Sequence, residues 1–69
     1  MEQKLHFYVG RIVRLKKALF EEVRNQAIRK ELSLENNFLV TEVSRKMRKL
    51  ICYGASFRIV VDVSDVVLV

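Results

Sequence analysis

The spacing of apolar residues changes twice along the chain. In residues 5–15, apolar and polar positions alternate imperfectly, as in a β-strand, and Gly10 interrupts the alternation. In residues 18–34, apolar side chains recur every three or four positions, which predicts an amphipathic helix. From Phe38 to the end, short apolar runs alternate with polar or glycine-containing breaks. The pattern therefore predicts one strand, one helix and then a series of strands.

The chain from Phe38 to the end is predicted to be β-structure throughout. Its clearest signal is residues 57–63, where apolar side chains occupy every second position. Strands joined by turns of three or four residues pair as antiparallel neighbours. In the first strand of this region, Phe38 and Val40 are predicted on one face, and Leu39 and Val43 on the other. The predicted strands are 38–43, 49–53, 57–63 and 66–69, with turns at 44–47, 54–56 and 64–65.

The predicted helix has a weak beginning and a marked end. No Ser, Thr, Asp or Asn stands at its start to cap the first amide groups. Acidic side chains near the beginning and basic ones near the end fit the helix dipole. Asn36 and Asn37 adopt left-handed backbone angles more readily than most residues, so they are predicted to close the helix.

These elements predict an α+β fold that is mostly β, formed by residues 1–69 as a single small domain. Five short strands in 69 residues favour a small antiparallel barrel, because closure removes exposed sheet edges. The one helix is inserted between strands 1 and 2, where it covers one open end of the predicted barrel.

The composition excludes several classes of protein. With 51% hydrophobic residues, 30% charged residues and no proline, the chain is neither disordered nor collagen-like. One cysteine and one histidine exclude a disulfide framework and a site rich in Cys or His, so no metal or other cofactor is expected. Cys52 is predicted to be a small buried hydrophobe. No export signal or apolar run of membrane-spanning length is present, which predicts a cytoplasmic protein without membrane contact.

No set of residues suggests catalysis. His6 is the only histidine, and a lone histidine beside Phe7 is more often a packed or surface side chain than a ligand. Asp62 and Asp65 are close in sequence, but Asp65 lies at a predicted turn, where Asp commonly bonds to nearby backbone. Asp62 falls on the predicted solvent side of its strand. The chain is therefore not expected to be an enzyme.

The formal charge of +5 is concentrated in two short segments. Residues 11–17 and 45–49 each hold four basic residues and no acidic one. If the fold brings them together, they form a surface for nucleic acid or for an acidic protein. The alternative is that each is a solvated strand end that prevents edge pairing. The candidate contacts are Arg11, Arg14, Lys16, Lys17, Arg45, Lys46, Arg48 and Lys49.

Aromatic and apolar side chains offer a second kind of contact. Tyr8, Tyr53 and Phe57 are candidate stacking platforms for single-stranded bases, although the chain has only six aromatic residues. The last predicted strand, 66–69, offers an edge to which a partner's strand or a second copy of the chain could pair. The candidate apolar interface comprises Tyr8, Tyr53, Val67 and Val69.

Two segments carry a resemblance to a known family. Residues 9–15, VGRIVRL, and residues 61–69, VDVSDVVLV, resemble the first and last strands of small SH3-like barrel proteins common in bacteriophages. The resemblance implies a five-stranded barrel from a phage or mobile element, acting in the host cytoplasm, whose relatives bind protein or nucleic acid and rarely catalyse reactions. Arg11 replaces the usual Asp, and the glycine-rich turn of ribosomal and transcription-factor members is absent from the sequence.

Together these observations predict a non-enzymatic binding module, in the phage setting an accessory protein that binds and modulates a host or phage protein. The alternative is a basic small-barrel protein that contacts the phosphate backbone of nucleic acid through residues 45–49. A second copy of the chain is a further candidate partner.

Overall fold

The computed structural model describes residues 5–54 and 57–69. This part of the chain contains one α-helix, five β-strands and two short 3₁₀ helices. In chain order they are a first 3₁₀ helix (Leu5–Tyr8), β1 (Ile12–Leu15), α1 (Lys17–Arg29), β2 (Phe38–Ser44), β3 (Lys49–Gly54), β4 (Phe57–Asp62), a second 3₁₀ helix (Val63–Asp65) and β5 (Val66–Leu68).

All five strands belong to one antiparallel sheet in the order β4-β3-β2-β1-β5. This arrangement confirms the α+β, mostly β prediction, with one helix between the first two strands. β4 and β5 are the two edges, and within the described residues no ladder joins them. The sheet is therefore not closed, and the predicted barrel is not confirmed.

The core lies on one face of this sheet. Its largest side chains with no exposed surface are those of Phe38, Leu50, Val13, Val40 and Cys52. The helix packs against them through Val23, with its first-turn residues Leu19 and Phe20 partly buried beside the same cluster. The prediction that Cys52 is a small buried hydrophobe is confirmed.

The first predicted strand is only partly a strand. Leu5 and Tyr8 lie three residues apart on a 3₁₀ helix, a spacing that directs both side chains into the core. Gly10 then turns the chain with φ at +82°, a conformation that glycine adopts without steric cost. Its amide donates to the Val40 carbonyl at 2.8 Å, so that β1 begins only at Ile12.

The helix ends five residues before the predicted position. Its last residue is Arg29, and Glu31 adopts the left-handed conformation with φ at 59°. The Leu32 amide bonds back to the Ala27 carbonyl at 2.9 Å, which is the hydrogen bond of a Schellman C-cap. The prediction that Asn36 and Asn37 close the helix is therefore wrong.

Asn36 instead extends the sheet with its side chain. Its Oδ1 accepts from the Leu15 amide at 2.8 Å, and its Nδ2 donates to the Leu15 carbonyl at 2.9 Å. The side-chain amide of Asn36 thus bonds to both the N–H and the C=O of Leu15, the last residue of β1. Asn36 itself lies just before β2, which begins at Phe38.

A bulge in β2 corrects a second prediction. The register between β2 and β3 shifts between Val40 and Glu42, so Thr41 is an extra residue with no opposite residue in the ladder, although its hydroxyl donates to the Ile51 carbonyl at 3.4 Å. The shift returns Val43 to the side of Phe38, where it packs against the core. The prediction that Val43 faces away from Phe38 is therefore wrong.

Gly54 ends β3 beneath the largest core side chain. A Cβ atom at this position would lie 2.6 Å from Cδ2 and 2.8 Å from Cε2 of Phe38. Only glycine permits this close approach. The rest of the turn predicted at 54–56, residues 55 and 56, lies outside the described residues.

Candidate interaction surface

A row of exposed side chains, apolar on three neighbouring strands and ending in an arginine on β4, crosses the sheet on the face away from the core. Ile12 pairs with Leu39, Leu39 with Tyr53, and Tyr53 with Arg58. Residues directly opposite each other in an antiparallel ladder point to the same face, so these four side chains form one row, termed here the outer row. At about 4.8 Å between strands, the row is about 14 Å long. Its apolar members are 41%, 41% and 44% exposed.

Further apolar residues widen this surface. Ile51 lies two residues before Tyr53 on β3 and pairs with the exposed Val60 of β4. On the other side, the exposed Val67 of β5 pairs with Arg14 of β1. The outer face, which we define as the outer row with these neighbours, thus has an apolar centre, an arginine on each side, Arg14 and Arg58, and one acidic residue, Glu42, which pairs with Ile51.

The structure separates the residues of the predicted apolar interface. Tyr53 and Val67 lie on the outer face, and Val69, which is 69% exposed, follows β5 with its amide bonded to the Ile12 carbonyl at 3.1 Å. Tyr8 is only 8% exposed and belongs to the core. Tyr8 is therefore removed from the interface, because the 3₁₀ helix turns its ring inward together with Leu5.

The first basic segment runs along β1, from Arg11, whose carbonyl accepts from the Val40 amide at 3.0 Å, to Lys16 and Lys17 at the end of the sheet away from the β2–β3 turn. Leu15, which precedes Lys16, is level with Asn36, whereas the β2–β3 turn begins after Ser44. β2, Phe38–Ser44, separates these two ends and spans about 20 Å at 3.3 Å per residue. Lys16 and Lys17 therefore do not form one patch with the basic residues of the β2–β3 turn.

Two of the predicted basic contacts have partners within the chain. The Arg11 Nε donates to the Phe7 carbonyl at 3.1 Å, and its guanidinium carbon lies 4.1 Å from the centroid of the Phe7 ring. The Lys49 Nζ lies 3.4 Å from Oδ2 of Asp62 across the β3–β4 ladder. At the β2–β3 turn, Arg45 and Lys46 are exposed.

Arg48 lies in the β2–β3 turn, whereas Arg14 lies in β1. Arg48 is exposed in the β2–β3 turn and has a positive φ of 53°. Arg14 projects from β1 onto the outer face, between the buried Val13 and Leu15. Of the eight predicted basic contacts, Arg14 is thus the one that borders the apolar surface.

The titratable groups with shifted pKa values have structural explanations. The Asp62 carboxylate accepts from the Ser64 amide at 2.9 Å and from the Ser64 hydroxyl at 2.8 Å. These bonds, followed by Lys49, lower the pKa of Asp62 to about 2. Burial raises the pKa of the Cys52 thiol to about 11. A general acid or base works best with a pKa near neutrality, so neither group is suited to that role.

A shallow cleft lies at the edge of the sheet, beside the start of β4 and the end of α1. Its volume is about 230 Å³, and it is lined by Lys30, Leu32, Phe57 and Arg58. The Lys30 Nζ lies 5.5 Å from the centroid of the Phe57 ring. Sequence reasoning missed this cleft because it placed Lys30 and Leu32 inside the helix. Phe57, a predicted stacking platform, is half-buried and has this cation over its ring.

Within residues 5–54 and 57–69, no three His, Cys, Asp or Glu side chains are grouped so that they could hold a metal ion. In the same part of the chain, no helix combines the length and apolar character needed to cross a membrane. Comparison with protein-family models, curated proteins and solved structures finds no match to the chain.

Proposed function

We propose that the protein is a non-enzymatic binding module that binds and modulates a protein partner through its outer face. The observation that carries this proposal is the outer row, in which exposed apolar side chains follow one another across three neighbouring strands. Antiparallel sheets that face water on one side usually carry polar residues there. Contiguous exposed apolar surface of this kind marks interaction sites in soluble proteins.

The outer face also has the composition of a protein interface. Such interfaces combine an apolar centre, often with tyrosine, and a polar rim in which arginine is frequent. Tyr53 stands in the centre of the outer face, and Arg14 and Arg58 stand at its sides. A partner that covers the centre gains hydrophobic free energy, while the arginines set the orientation of an acidic partner.

The SH3-like barrel and the phage setting are parts of the same proposal. The order of the five strands, with β1 between β2 and β5, and the helix between β1 and β2 support the first. The likeness of residues 9–15 and 61–69 to the terminal strands of phage barrel proteins supports the second. In that setting the partner is a host or phage protein in the host cytoplasm.

A second candidate function is binding of the phosphate backbone of nucleic acid. The observation that favours it is the β2–β3 turn, where Arg45, Lys46 and Arg48 are exposed together. Such binding would have little sequence preference and a steep dependence on salt. The ion pair of Lys49, and the length of β2 that separates Lys16 and Lys17 from the turn, favour the protein-binding function instead.

Affinity capture from bacterial lysate, with and without nuclease, distinguishes the two functions. The outer-row variant Leu39→Thr/Tyr53→Thr removes apolar surface with residues that suit a strand. The turn variant Arg45→Ala/Lys46→Ala removes exposed charge. Ile28→Ala is the matched control, since Ile28 is an exposed apolar residue on α1, away from the outer face.

The proposal predicts that one discrete protein is still captured after nuclease treatment. The turn variant and the Ile28→Ala control should also capture this protein, and the outer-row variant should not. Captured material that disappears with nuclease, or with the turn variant alone, would establish the nucleic-acid function instead. Circular dichroism and thermal melting of each variant verify that the fold is intact.

A further inference from the structure

The cleft lies at the exposed edge of β4 and shares Arg58 with the outer row. Arg58 is the last member of the outer row, where it pairs with Tyr53, and it also lines the cleft. The other walls come from Phe57, the preceding residue of β4, and from Lys30 and Leu32, which follow the helix. Phe57 pairs with Gly54 and so faces the core side of the sheet, whereas Arg58 pairs with Tyr53 on the outer face. A segment that covers the outer row and then turns round the exposed edge of β4 therefore reaches the cleft.

The lining of the cleft selects for negative charge. Lys30 and Arg58 supply two cations, and none of the four described residues that line the cleft is acidic. Leu32 and Phe57 supply apolar walls, which reduce the contact of a bound group with water and strengthen its attraction to the cations. The chain as a whole carries a charge of +5, so the long-range field also favours an acidic partner.

The size of the cleft fits one side chain rather than a small molecule. Ligand pockets for drug-sized molecules usually measure about 300–1,000 Å³. At about 230 Å³, this cleft is smaller and open to solvent. A single carboxylate side chain with its aliphatic stem fits both the volume and the mixed lining.

We propose that the cleft binds a Glu or Asp side chain of an extended peptide segment of the protein partner, while apolar side chains of the same segment lie on the outer row. This inference rests on the proposed function and specifies the chemistry of its partner. The carboxylate lies between Lys30 and Arg58, and its aliphatic stem contacts Leu32 and Phe57. The following apolar residues of the segment contact Tyr53 and Leu39.

The structure favours a peptide over single-stranded nucleic acid as the occupant. Nucleic-acid bases bind single-strand sites mainly by stacking on open aromatic rings. The Phe57 ring already has the Lys30 ammonium 5.5 Å from its centroid. Beyond Tyr53, the outer row continues with the aliphatic side chains Leu39 and Ile12, on which a peptide's apolar residues pack and bases do not stack.

Titration of the ¹⁵N-labelled full chain with a synthetic peptide tests this inference by NMR. The probe alternates Glu with Val and carries one Tyr, and its matched control has Lys in place of each Glu. A third probe is oligothymidylate. The proposal predicts chemical-shift changes at Lys30, Leu32, Phe57, Arg58 and Tyr53 with the acidic peptide, and none with the Lys peptide.

Two variants that each remove one positive charge then measure the contribution of the cleft to peptide binding. Lys30→Gln and Arg58→Gln should each weaken binding of the acidic peptide by about fivefold, the value of one partly exposed ion pair. Arg24→Gln, which removes an exposed cation from the middle of α1, should leave the affinity within about twofold. All three residues lie on the surface, so the variants should fold normally.

Equal affinities for the acidic and Lys peptides, no loss in the two cleft variants, or no shift changes at the lining residues would overturn the inference. Tighter binding of oligothymidylate at the same residues would also overturn it and would assign the cleft to nucleic acid. The proposed function fails separately, if the outer-row variant still captures the protein partner.

Discussion

Replacing Gly54 by alanine tests the packing that joins β3 to the core. The new Cβ would lie 2.6 Å and 2.8 Å from two ring carbons of Phe38 and 3.0 Å from the Asn37 carbonyl oxygen. Carbon atoms in contact normally stand about 3.5–4.0 Å apart, so the overlap is about 1 Å. Phe38 has no exposed surface and therefore cannot yield by turning towards solvent.

The expected cost of this overlap follows from two opposing effects. Overpacking of a filled core costs about 1–3 kcal/mol. Alanine restricts the unfolded chain more than glycine does, which returns about 0.4–1 kcal/mol. Gly54→Ala should therefore lower the free energy of unfolding by about 1–2 kcal/mol and the melting temperature by about 4–8 °C for each kcal/mol. A domain of this size has several kcal/mol of stability, so the variant should still fold.

A double-mutant cycle in urea assigns the loss to the ring of Phe38. Phe38→Leu alone should cost about 1–2 kcal/mol through the lost contacts and the space left behind. In the Gly54→Ala background it should cost at least about 1 kcal/mol less, because the overlapping ring is gone. Gly10→Ala is the control, since Gly10 has a positive φ but no atom within 4 Å of the added Cβ.

Gly10→Ala should lower the free energy of unfolding because alanine is strained at the positive φ of this position. Adding Phe38→Leu to this variant should cost as much as Phe38→Leu costs alone. The contact between β3 and the Phe38 ring would be refuted if Gly54→Ala lowered the free energy of unfolding by less than about 0.5 kcal/mol. It would also be refuted if the effects of Gly54→Ala and Phe38→Leu simply added in the double variant.

Three further substitutions test other parts of the structure. Asn36→Ala removes the two hydrogen bonds that close the end of β1 and should lower the free energy of unfolding in urea by about 1–3 kcal/mol. Asn37→Ala should change it by less than about 0.5 kcal/mol, and equal losses would contradict the role of Asn36. Glu31→Gly should raise the free energy of unfolding by about 0.5–1 kcal/mol, because glycine adopts φ near 59° without strain. Destabilisation would contradict the left-handed conformation of residue 31 at the end of the helix. The pKa of Asp62 is lowered from 3.8 to about 2 by folding, so its contribution to stability is complete above pH 3.8 and is lost as the pH falls towards 2. An NMR titration of this carboxyl should have its midpoint near 2, and Asp62→Asn should reduce the fall in stability over that range. A midpoint at 3.8 would show that the bonds to Ser64 do not form.

The strands that sequence reasoning located well are those with a simple alternation. The predicted strand at 57–63 corresponds to β4 at Phe57–Asp62, and the break at 64–65 is the second 3₁₀ helix. Apolar periodicity is sufficient in such a segment because the alternate residues Phe57, Ile59 and Val61 are less exposed than Arg58 and Val60 between them.

The errors have a different origin, since each arises where a tertiary contact overrides the local pattern. The bulge at Thr41 changes the face of Val43, and nothing in the local sequence distinguishes it from regular alternation. Glu31 takes the left-handed position although Asn36 has the higher propensity, because Asn36 is held by the backbone of β1.

The candidate site was predictable only in part. Tyr53 and Val67 were identified from the sequence as exposed apolar residues. The outer row itself depends on the strand register, which brings Ile12, Leu39 and Tyr53 together from three strands. The cleft likewise requires the end of α1 to lie beside the start of β4, a long-range contact for which periodicity gives no signal.

The most direct test of the account is the nuclease-treated affinity capture with wild-type protein and Leu39→Thr/Tyr53→Thr side by side. The account predicts one discrete protein that the wild type retains at moderate salt and the variant loses while keeping its native circular dichroism and melting behaviour. Retention of the same protein by the folded variant would show that the outer face is not the binding surface.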